Sequence, residues 1–175
     1  MVEEKVESTD FNVGIVTSKI TDLEDRNKKL NDDLVYIQSQ SMRNNLIFTN
    51  IDEAPTGNNE DCEQVIRTFL TDKMKIANDL VKEMKFERVH RIGNHGRNGK
   101  PRNIVAKFNL FKERELVRKS GVALKGTNCY VNEQFPKEVI DKRRELLPKL
   151  KEARQKGNKA WLSYDTLYID GKAQK

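Results

Sequence analysis

The apolar residues between Val13 and Ile37 recur at alternating spacings of three and four positions. This spacing is the heptad pattern of a coiled coil, in which a narrow apolar seam faces a partner helix. The seam positions of the heptads are Val13, Val16, Ile20, Leu23, Asn27, Leu30, Leu34 and Ile37. The pattern predicts a self-associating helix over residues 13–41, preceded by a flexible acidic N-terminus over residues 1–12. The alternative interpretation is an amphipathic helix that packs onto its own domain.

Asn27 interrupts the apolar seam at an a position of the heptad. A polar residue there lowers the stability of an assembly but fixes its register and its number of strands. In a simple parallel zipper, an asparagine at this position favours two strands. The heptads alone therefore leave the choice between a dimer and a trimer open.

After the heptads, the pattern changes to short strand-like segments that alternate with helical ones. Strands are predicted over residues 45–51, 86–92 and 103–110. Asp61 is placed to cap the helix that follows the first strand, and Gly121 to end the helix "KERELVRKSG". Strands and helices in this order, with one tight β–β pairing, are typical of a ferredoxin-like sandwich. We therefore expect an α+β fold with an RNA-recognition-like domain over residues 42–121.

The stretch "LIFTNI" resembles the strand motif that opens RNA-recognition domains, but its aromatic residue, Phe48, comes one place late. Since side chains alternate along a strand, this shift turns Phe48 toward the core together with Leu46. On the first and third strands, we expect inward side chains also at Ile104, Ala106 and Phe108, and outward ones at Ile47, Asn103, Val105 and Lys107. The outward set lacks the usual stacking aromatics, so base stacking cannot dominate binding.

The last part of the chain, residues 122–175, is predicted to form a small α+β domain that also binds nucleic acid. Its predicted elements are a strand over residues 129–133, a helix over residues 136–156 that Gly157 ends, and a hairpin with Asp165 and Thr166 at the turn. Pro148 lies inside the helix, where it leaves the carbonyl of Arg144 without its hydrogen bond and should kink the backbone.

Charge is distributed unevenly along the chain. The whole sequence contains 33 Lys and Arg against 27 Asp and Glu, which gives a net charge of +6. Residues 1–41 contain five basic and nine acidic residues, so 28 basic and 18 acidic residues remain for the rest. The basic part favours a polyanionic partner, with a lysine-rich solvated surface as the alternative.

Basic side chains, rather than aromatic rings, are the candidate contacts with nucleic acid. An inward Val89 turns Arg88 and His90 outward, and Arg91 ends its strand at the start of the basic loop "GNHGRNGKPR". Such contacts reach phosphates, so they bind with little sequence preference and strong salt dependence. The candidates are Arg43, Arg88, His90, Arg91, Arg97, Lys100, Arg102, Lys107, Arg143, Arg144 and Lys151. For the strand residues, the alternative is a simple solvated surface.

The sequence contains no recognisable catalytic or metal-binding constellation. Cys62 and Cys129 have no C-x-x-C spacing, and His90 and His95 do not complete a zinc set. A phosphate-cradling Gly-Lys loop and a nucleophile elbow are also missing. We therefore expect no enzymatic activity, no metal and no cofactor. The sequence has no long apolar run and begins with an acidic segment, so we expect a soluble intracellular protein that does not bind membranes.

Five stretches, in their order along the chain, carry a resemblance to a known family. They are "RNNLIFTNI", "FERVHRIG", "PRNIVAKF", "KERELVRK" and "DKRRELLPKLKEARQKG". Over residues 42–175 the chain resembles the first-open-reading-frame protein of LINE-type retrotransposons. The resemblance implies a homotrimer that binds single-stranded RNA, with single-stranded DNA as a further candidate, and that acts as a nucleic-acid chaperone. It also implies a cytoplasmic ribonucleoprotein around the element's RNA, with the nucleus as a second compartment.

Two features depart from the family pattern. Family members often carry Arg on the strand where this chain has Tyr130, so that contact is either lost or replaced by stacking. The coiled coil is also short. The rival interpretation is a coiled-coil adaptor whose degenerate RNA-recognition-like domain binds protein.

Overall fold

The computed structural model describes residues 2–54, 60–93 and 100–174, with side chains described from residue 11 onward. It has a mixed α+β structure with a long N-terminal helix and antiparallel sheets. The α+β class predicted from the sequence is therefore confirmed. The chain divides into two compact units, Met1–Gln40 and Ser41–Lys175.

The first helix, α1, runs over Val2–Met42. It covers the predicted helical residues 13–41 and continues back through the segment that the sequence analysis assigns to a flexible N-terminus. Residues 2–12 contain neither proline nor glycine, so no residue type in this segment opposes helix formation strongly. The apolar heptad side chains are 50–68% exposed in the single chain; they are Val13, Val16, Ile20, Leu23, Leu30, Leu34 and Ile37.

The larger unit contains a four-stranded antiparallel sheet with the strand order β2-β3-β1-β4. Its strands are β1 (Asn45–Thr49), β2 (Phe86–Ile92), β3 (Asn103–Phe108) and β4 (Tyr130–Glu133). The helices of this region are α2 (Cys62–Asp72), α3 (Asn78–Glu83) and α4 (Phe111–Ser120), followed by a 3₁₀ helix at Gly121–Leu124. The first three strands and helix α4 begin and end within about two residues of their predicted bounds.

Strand β4 belongs to this sheet and not to the terminal unit in which the sequence analysis places it. It pairs with β1, with Leu46 opposite Glu133 and Thr49 opposite Tyr130. The boundary predicted after residue 121 is therefore too early, because the sheet continues to Glu133. A strand of four residues is too short for its alternation to reveal which sheet it joins.

The core of the sheet confirms the predicted direction of the side chains on β1 and β3. The inward residues Leu46, Phe48, Ile104, Ala106 and Phe108 are all fully buried. Helix α2 covers them with three buried side chains, Ile66, Phe69 and Leu70. The rings of Phe48 and Phe69 meet edge to face, with centroids 5.9 Å apart. The late aromatic of "LIFTNI" is therefore a core residue.

Two helix ends test the predicted capping residues. The side chain of Asp61 accepts hydrogen bonds from the amides of Glu63 and Gln64 at 3.0 Å, which confirms it as the cap of α2. Gly121 follows α4 but has a right-handed φ of −55°, so the expected left-handed ending is wrong. A Cβ at Gly121 would lie 2.7 Å from Cγ1 of Val131, so the glycine is needed for close packing against β4.

The terminal region contains one helix and a three-stranded antiparallel sheet with the order β5-β6-β7. Its elements are α5 (Lys137–Gln155), β5 (Ala160–Ser163), β6 (Thr166–Ile169) and β7 (Lys172–Gln174). Helix α5 is one element through Pro148 and ends at Gln155, and Gly157, two residues later, has the predicted left-handed φ, +85°. The hairpin turns at Tyr164 and Asp165, one residue earlier than predicted, because Tyr164 adopts a positive φ and Thr166 already belongs to β6. Strand β7 was not predicted.

Candidate nucleic-acid interface

We call the face of the four-stranded sheet away from α2 the outer face. Its side chains alternate with the core residues, so cross-strand partners of outward residues share it. The register pairs Arg88 with Lys107, Lys107 with Asn45, His90 with Val105, Val105 with Ile47, Ile47 with Asn132, and Thr49 with Tyr130. The outer face therefore extends from β2, with Arg88 and His90, to β4, with Asn132 and Tyr130.

Arg88 and Lys107 are neighbours on the outer face with different surroundings. Arg88 is exposed and has no hydrogen-bond or ion-pair partner within the described residues. The Nζ of Lys107 lies 2.8 Å from Oε1 of Glu87. An exposed ion pair of this kind contributes about 0–1 kcal/mol, so a phosphate can replace Glu87 at little cost. Arg88 could therefore bind an anion directly, whereas Lys107 would first have to give up its ion pair with Glu87.

His90 lies in the middle of β2 and is half-buried. Its Nδ1 has no hydrogen-bond partner in the described part of the chain. Burial, together with the nearby charge of Arg88, holds the pKa of His90 below its usual value of 6.5. The imidazole is therefore mostly neutral at pH 7 and offers a ligand hydrogen bonding rather than charge.

The centre of the outer face is less open than the sequence analysis expects. Val105, predicted to be outward and accessible, is only 5% exposed, and Asn45 on the same face is 8% exposed. The cross-strand partners of Val105 on this face are His90 and Ile47, both with longer side chains. Contacts with a large ligand are therefore expected at the two edges of the outer face rather than at its centre.

Tyr130 supplies the aromatic ring that the first three strands lack. It lies on β4 opposite Thr49 and is 55% exposed. The sequence analysis names Tyr130 as a contact but assigns it to a separate domain, and it therefore predicts no aromatic ring on the outer face. An inward Val131 beside it is the signal that could have placed Tyr130 on this face, once β4 is assigned to the sheet.

Arg91 is a structural residue and not an exposed contact, which corrects the prediction. It pairs with Ile104, so its side chain projects to the core side of the sheet, where it is only 4% exposed. Its guanidinium donates hydrogen bonds to the carbonyl oxygens of Ile51, Asp52 and Arg102 and to both carboxylate oxygens of Glu60, at 2.6–2.8 Å. Arg91 therefore ties the segment after β1 to the start of β3.

The pair formed by Arg91 and Glu60 also explains the acidity of the glutamate. The hydrogen bonds from Arg91 lower the pKa of Glu60 from 4.5 to about 2, against the opposing effect of burial. Glu60 is only 15% exposed, so each charged group compensates for the desolvation of the other. A buried ion pair with this many hydrogen bonds leaves no donor of Arg91 for a phosphate.

The remaining basic residues near the sheet differ in accessibility. Arg102 lies 2.9 Å from Glu53 in an ion pair that also lowers the pKa of that glutamate, so it is only partly available. Lys100 is exposed, and the predicted contact Arg97 lies outside the described residues. Arg43 is exposed just before β1, with its guanidinium 5.4 Å from the ring centroid of Phe111.

Two of the basic residues of α5 line a cleft of about 480 Å³ at the β4 edge of the sheet. The cleft is lined by Asn132, Arg118, Arg143, Arg144 and apolar side chains that include Ile140 and Leu147. The guanidinium of Arg143 lies 4.6 Å from the ring centroid of Phe135, and Arg144 forms an ion pair with Asp141 at 3.0 Å. Lys151 is exposed on α5 and does not line the cleft.

Asn132 connects the outer face to this cleft, because it belongs to both. The sequence analysis predicts Arg143 and Arg144 but not Arg118, which comes from α4 and is held by Glu115 at 2.9 Å. It also misses Arg114, a side chain only 5% exposed that pairs with Glu115 and Glu133 and so joins α4 to β4. In the sequence Arg114 looks like an ordinary surface charge beside Glu115, because its second acidic partner, Glu133, lies 19 positions further along the chain.

Residues 2–54, 60–93 and 100–174 contain no group of three or more His, Cys, Asp or Glu side chains that is suitable for a metal ion. No helix within these ranges has both the length and the apolar composition that a membrane span requires. No protein-family model and no curated protein matches the chain.

Proposed function

We propose that this protein binds single-stranded RNA with little sequence preference and acts as a nucleic-acid chaperone in the ribonucleoprotein of a LINE-type retrotransposon. The observation that carries the proposal is the composition of the outer face. An exposed guanidinium, that of Arg88, lies at one edge, and an exposed ring, that of Tyr130, lies at the other. These two groups suit the phosphates and the unpaired bases of a flexible strand.

The arrangement of the strands supports the same proposal. The element order β-α-α-β-β-α-β and the strand order β2-β3-β1-β4 support the ferredoxin-like sandwich that we propose for this region, with one additional short helix. Neighbouring strands lie about 4.8 Å apart, so the two edges of the outer face are separated by about 14 Å. That span requires an extended ligand rather than a single small molecule.

Within this proposal, binding by one chain is weak. Arg91 is buried, and Lys107 and Arg102 have acidic partners, so few free cations face the ligand. Affinity then comes from linking several chains through α1. Once one chain has bound the RNA, binding by the next chain of the same assembly is intramolecular and so more favourable. We propose a trimer joined by the exposed heptad residues of α1. Individual contacts that release quickly within a slowly dissociating assembly allow strands to exchange and anneal.

A salt titration of RNA binding tests the electrostatic part of the proposal. Each phosphate contact lowers log K by about 0.7 per tenfold rise in salt on a single strand, so three or four contacts per chain give a slope of about −2 to −3. The measurement is filter binding of an unstructured RNA oligonucleotide and of an RNA duplex to the full chain. A preference for the single strand and a steep slope are expected. A flat salt dependence would show that the mechanism is wrong.

Three variants locate the contact on the outer face. Arg88→Ala and Tyr130→Ala remove exposed groups from its two edges and should each weaken binding. Lys73→Ala is the matched control, because this exposed lysine follows α2 and lies away from the outer face. Equal effects of Arg88→Ala and Lys73→Ala would indicate non-specific charge. RNA binding that is unchanged in both edge variants would favour the coiled-coil adaptor.

A further inference from the structure

The terminal sheet has an aromatic pair on the face that α5 does not cover. The side chains of Ala160 and Leu167 face α5 and are buried with it in a small core. Trp161 and Tyr168 alternate with these residues and therefore project from the opposite face. They are cross-strand partners on β5 and β6, and their rings are parallel within 7°, with centroids 5.5 Å apart.

The stack has space for another ring beside Tyr168. On the side away from Trp161, the cross-strand partner of Tyr168 is Ala173 of β7, which carries only a methyl group. Strand β7 is the edge of the sheet, and all three of its residues are exposed. The face of the Tyr168 ring that points toward β7 is therefore not covered by a cross-strand side chain. A planar group of the size of a nucleobase can continue the stack above Ala173.

The charge around this sheet favours a polyanion as the source of that planar group. Residues 137–175 contain eleven Lys and Arg against six Asp and Glu. Lys159 is exposed and immediately precedes β5, two positions before Trp161, so the alternation of the strand, continued by one residue, places it on the same side as Trp161. A planar ring attached to phosphate, the composition of a nucleotide, satisfies both the open ring face and the cationic surroundings.

We propose that Trp161 and Tyr168 form a second base-stacking site, which holds an unpaired nucleobase of a single strand on the open face of Tyr168, with a flanking phosphate at Lys159. This site is separate from the outer face of the larger sheet, and its assignment to RNA rests on the function proposed above. It contributes stacking, which depends little on salt, beside the salt-dependent contacts of Arg88. The chain thus binds both the base and the phosphate of a nucleotide.

Fluorescence of the full chain tests the site directly, because Trp161 is the only tryptophan in the sequence. Three probes are compared at saturating concentration: an unstructured RNA oligonucleotide, the same backbone with abasic positions, and inorganic polyphosphate. Stacking predicts that the base-containing strand changes the Trp161 emission, whereas the abasic strand and polyphosphate change it little. Equal changes with all three probes would overturn the proposal.

Two substitutions then separate stacking from the stability of the sheet. Ala173→Val fills the space above β7 with a residue that strands accommodate well, so the fold should persist while the base is excluded. Tyr168→Ile removes the ring and keeps a β-branched side chain. Each variant should bind the base-containing strand about 5-fold or more weakly, with unchanged affinity for the abasic strand.

The outcomes distinguish this site from the proposed function as a whole. If the wild-type chain binds RNA and both variants bind it equally well, the aromatic pair serves only the stability of the sheet and the stacking site is wrong. If the wild-type chain binds none of the three probes, the function proposed for the chain fails, and the stacking site fails with it. Weaker binding of Ala173→Val, with a thermal midpoint like that of the wild type, supports the site.

Discussion

Two arginines on β2, three positions apart, should respond to substitution in opposite ways. Arg91→Ala removes a side chain that is 4% exposed and leaves Glu60 and three carbonyl oxygens without their donor. Loss of one partner of a buried ion pair costs about 3–5 kcal/mol. Because Glu60 keeps some contact with solvent, we expect the lower end, about 3 kcal/mol. Arg88→Ala removes an exposed side chain and should change the free energy of unfolding by less than about 0.5 kcal/mol.

Thermal unfolding followed by circular dichroism measures this difference. A loss of 1 kcal/mol lowers the midpoint by about 3–4 °C for a unit of this size, so Arg91→Ala should unfold about 10 °C below the wild type. Arg91→Lys keeps the charge but cannot form the bidentate contact with Glu60, so its midpoint should lie between those of Arg91→Ala and the wild type. Arg88→Ala should unfold with the wild type.

RNA binding of the same variants, measured below all midpoints, completes the comparison. Arg88→Ala should weaken binding and reduce the salt slope by about 0.7, the contribution of one phosphate. Arg91→Ala should bind RNA with the salt slope of the wild type. The reasoning is refuted if Arg91→Ala keeps the wild-type midpoint and loses as much salt dependence as Arg88→Ala, since Arg91 would then be the exposed contact that the sequence suggests.

Two further predictions concern acid stability and assembly. The pKa of Glu60 is about 2 in the folded chain and 4.5 without its partners, so its carboxylate stabilises the fold fully above about pH 4.5 and loses that effect as the pH falls toward 2. Denaturant unfolding between pH 5 and about 2.5 should therefore show a smaller loss of stability for Glu60→Gln than for the wild type; equal losses would contradict the Arg91 pairing. Light scattering of the chain with and without residues 1–41 should show an oligomer that becomes a monomer on truncation. A monomer at full length would exclude assembly through α1.

The predictable parts of the fold were those set by local periodicity and by side chains that act on nearby backbone. Alternation placed Phe48 in the core, and short-range chemistry assigned Asp61 and Gly157 to helix ends. Each of these inferences involves residues within a few positions of each other. On a strand with one buried face, a shift of one residue would expose the whole set of apolar side chains. The alternation of apolar and polar residues therefore predicts strongly which side chains face the core.

The features that escaped prediction depend on contacts between distant parts of the chain. The fourth strand joins the first across about 80 residues of intervening sequence, and its own four residues do not reveal that partner. The alternation that turns Val89 inward also turns Arg91 inward, but the acidic partner that makes Arg91 a buried structural residue, Glu60, lies 31 positions away in the sequence. Basic composition favours a polyanionic ligand, but it does not identify which cations already have acidic partners.

Strand β4 is the shortest strand of the larger sheet and lies at its edge, so it should open more easily than the central strands. It has four residues and only one neighbouring strand, and Arg114 and the close packing of Gly121 on Val131 help to hold it. Local opening of a short edge element requires less free energy than global unfolding. Amide hydrogens of β4 are therefore expected to exchange with solvent sooner than those of β1 and β3. The ring of Tyr130 thus lies on the strand that we expect to open first, so this edge of the outer face should change shape more easily than the central strands.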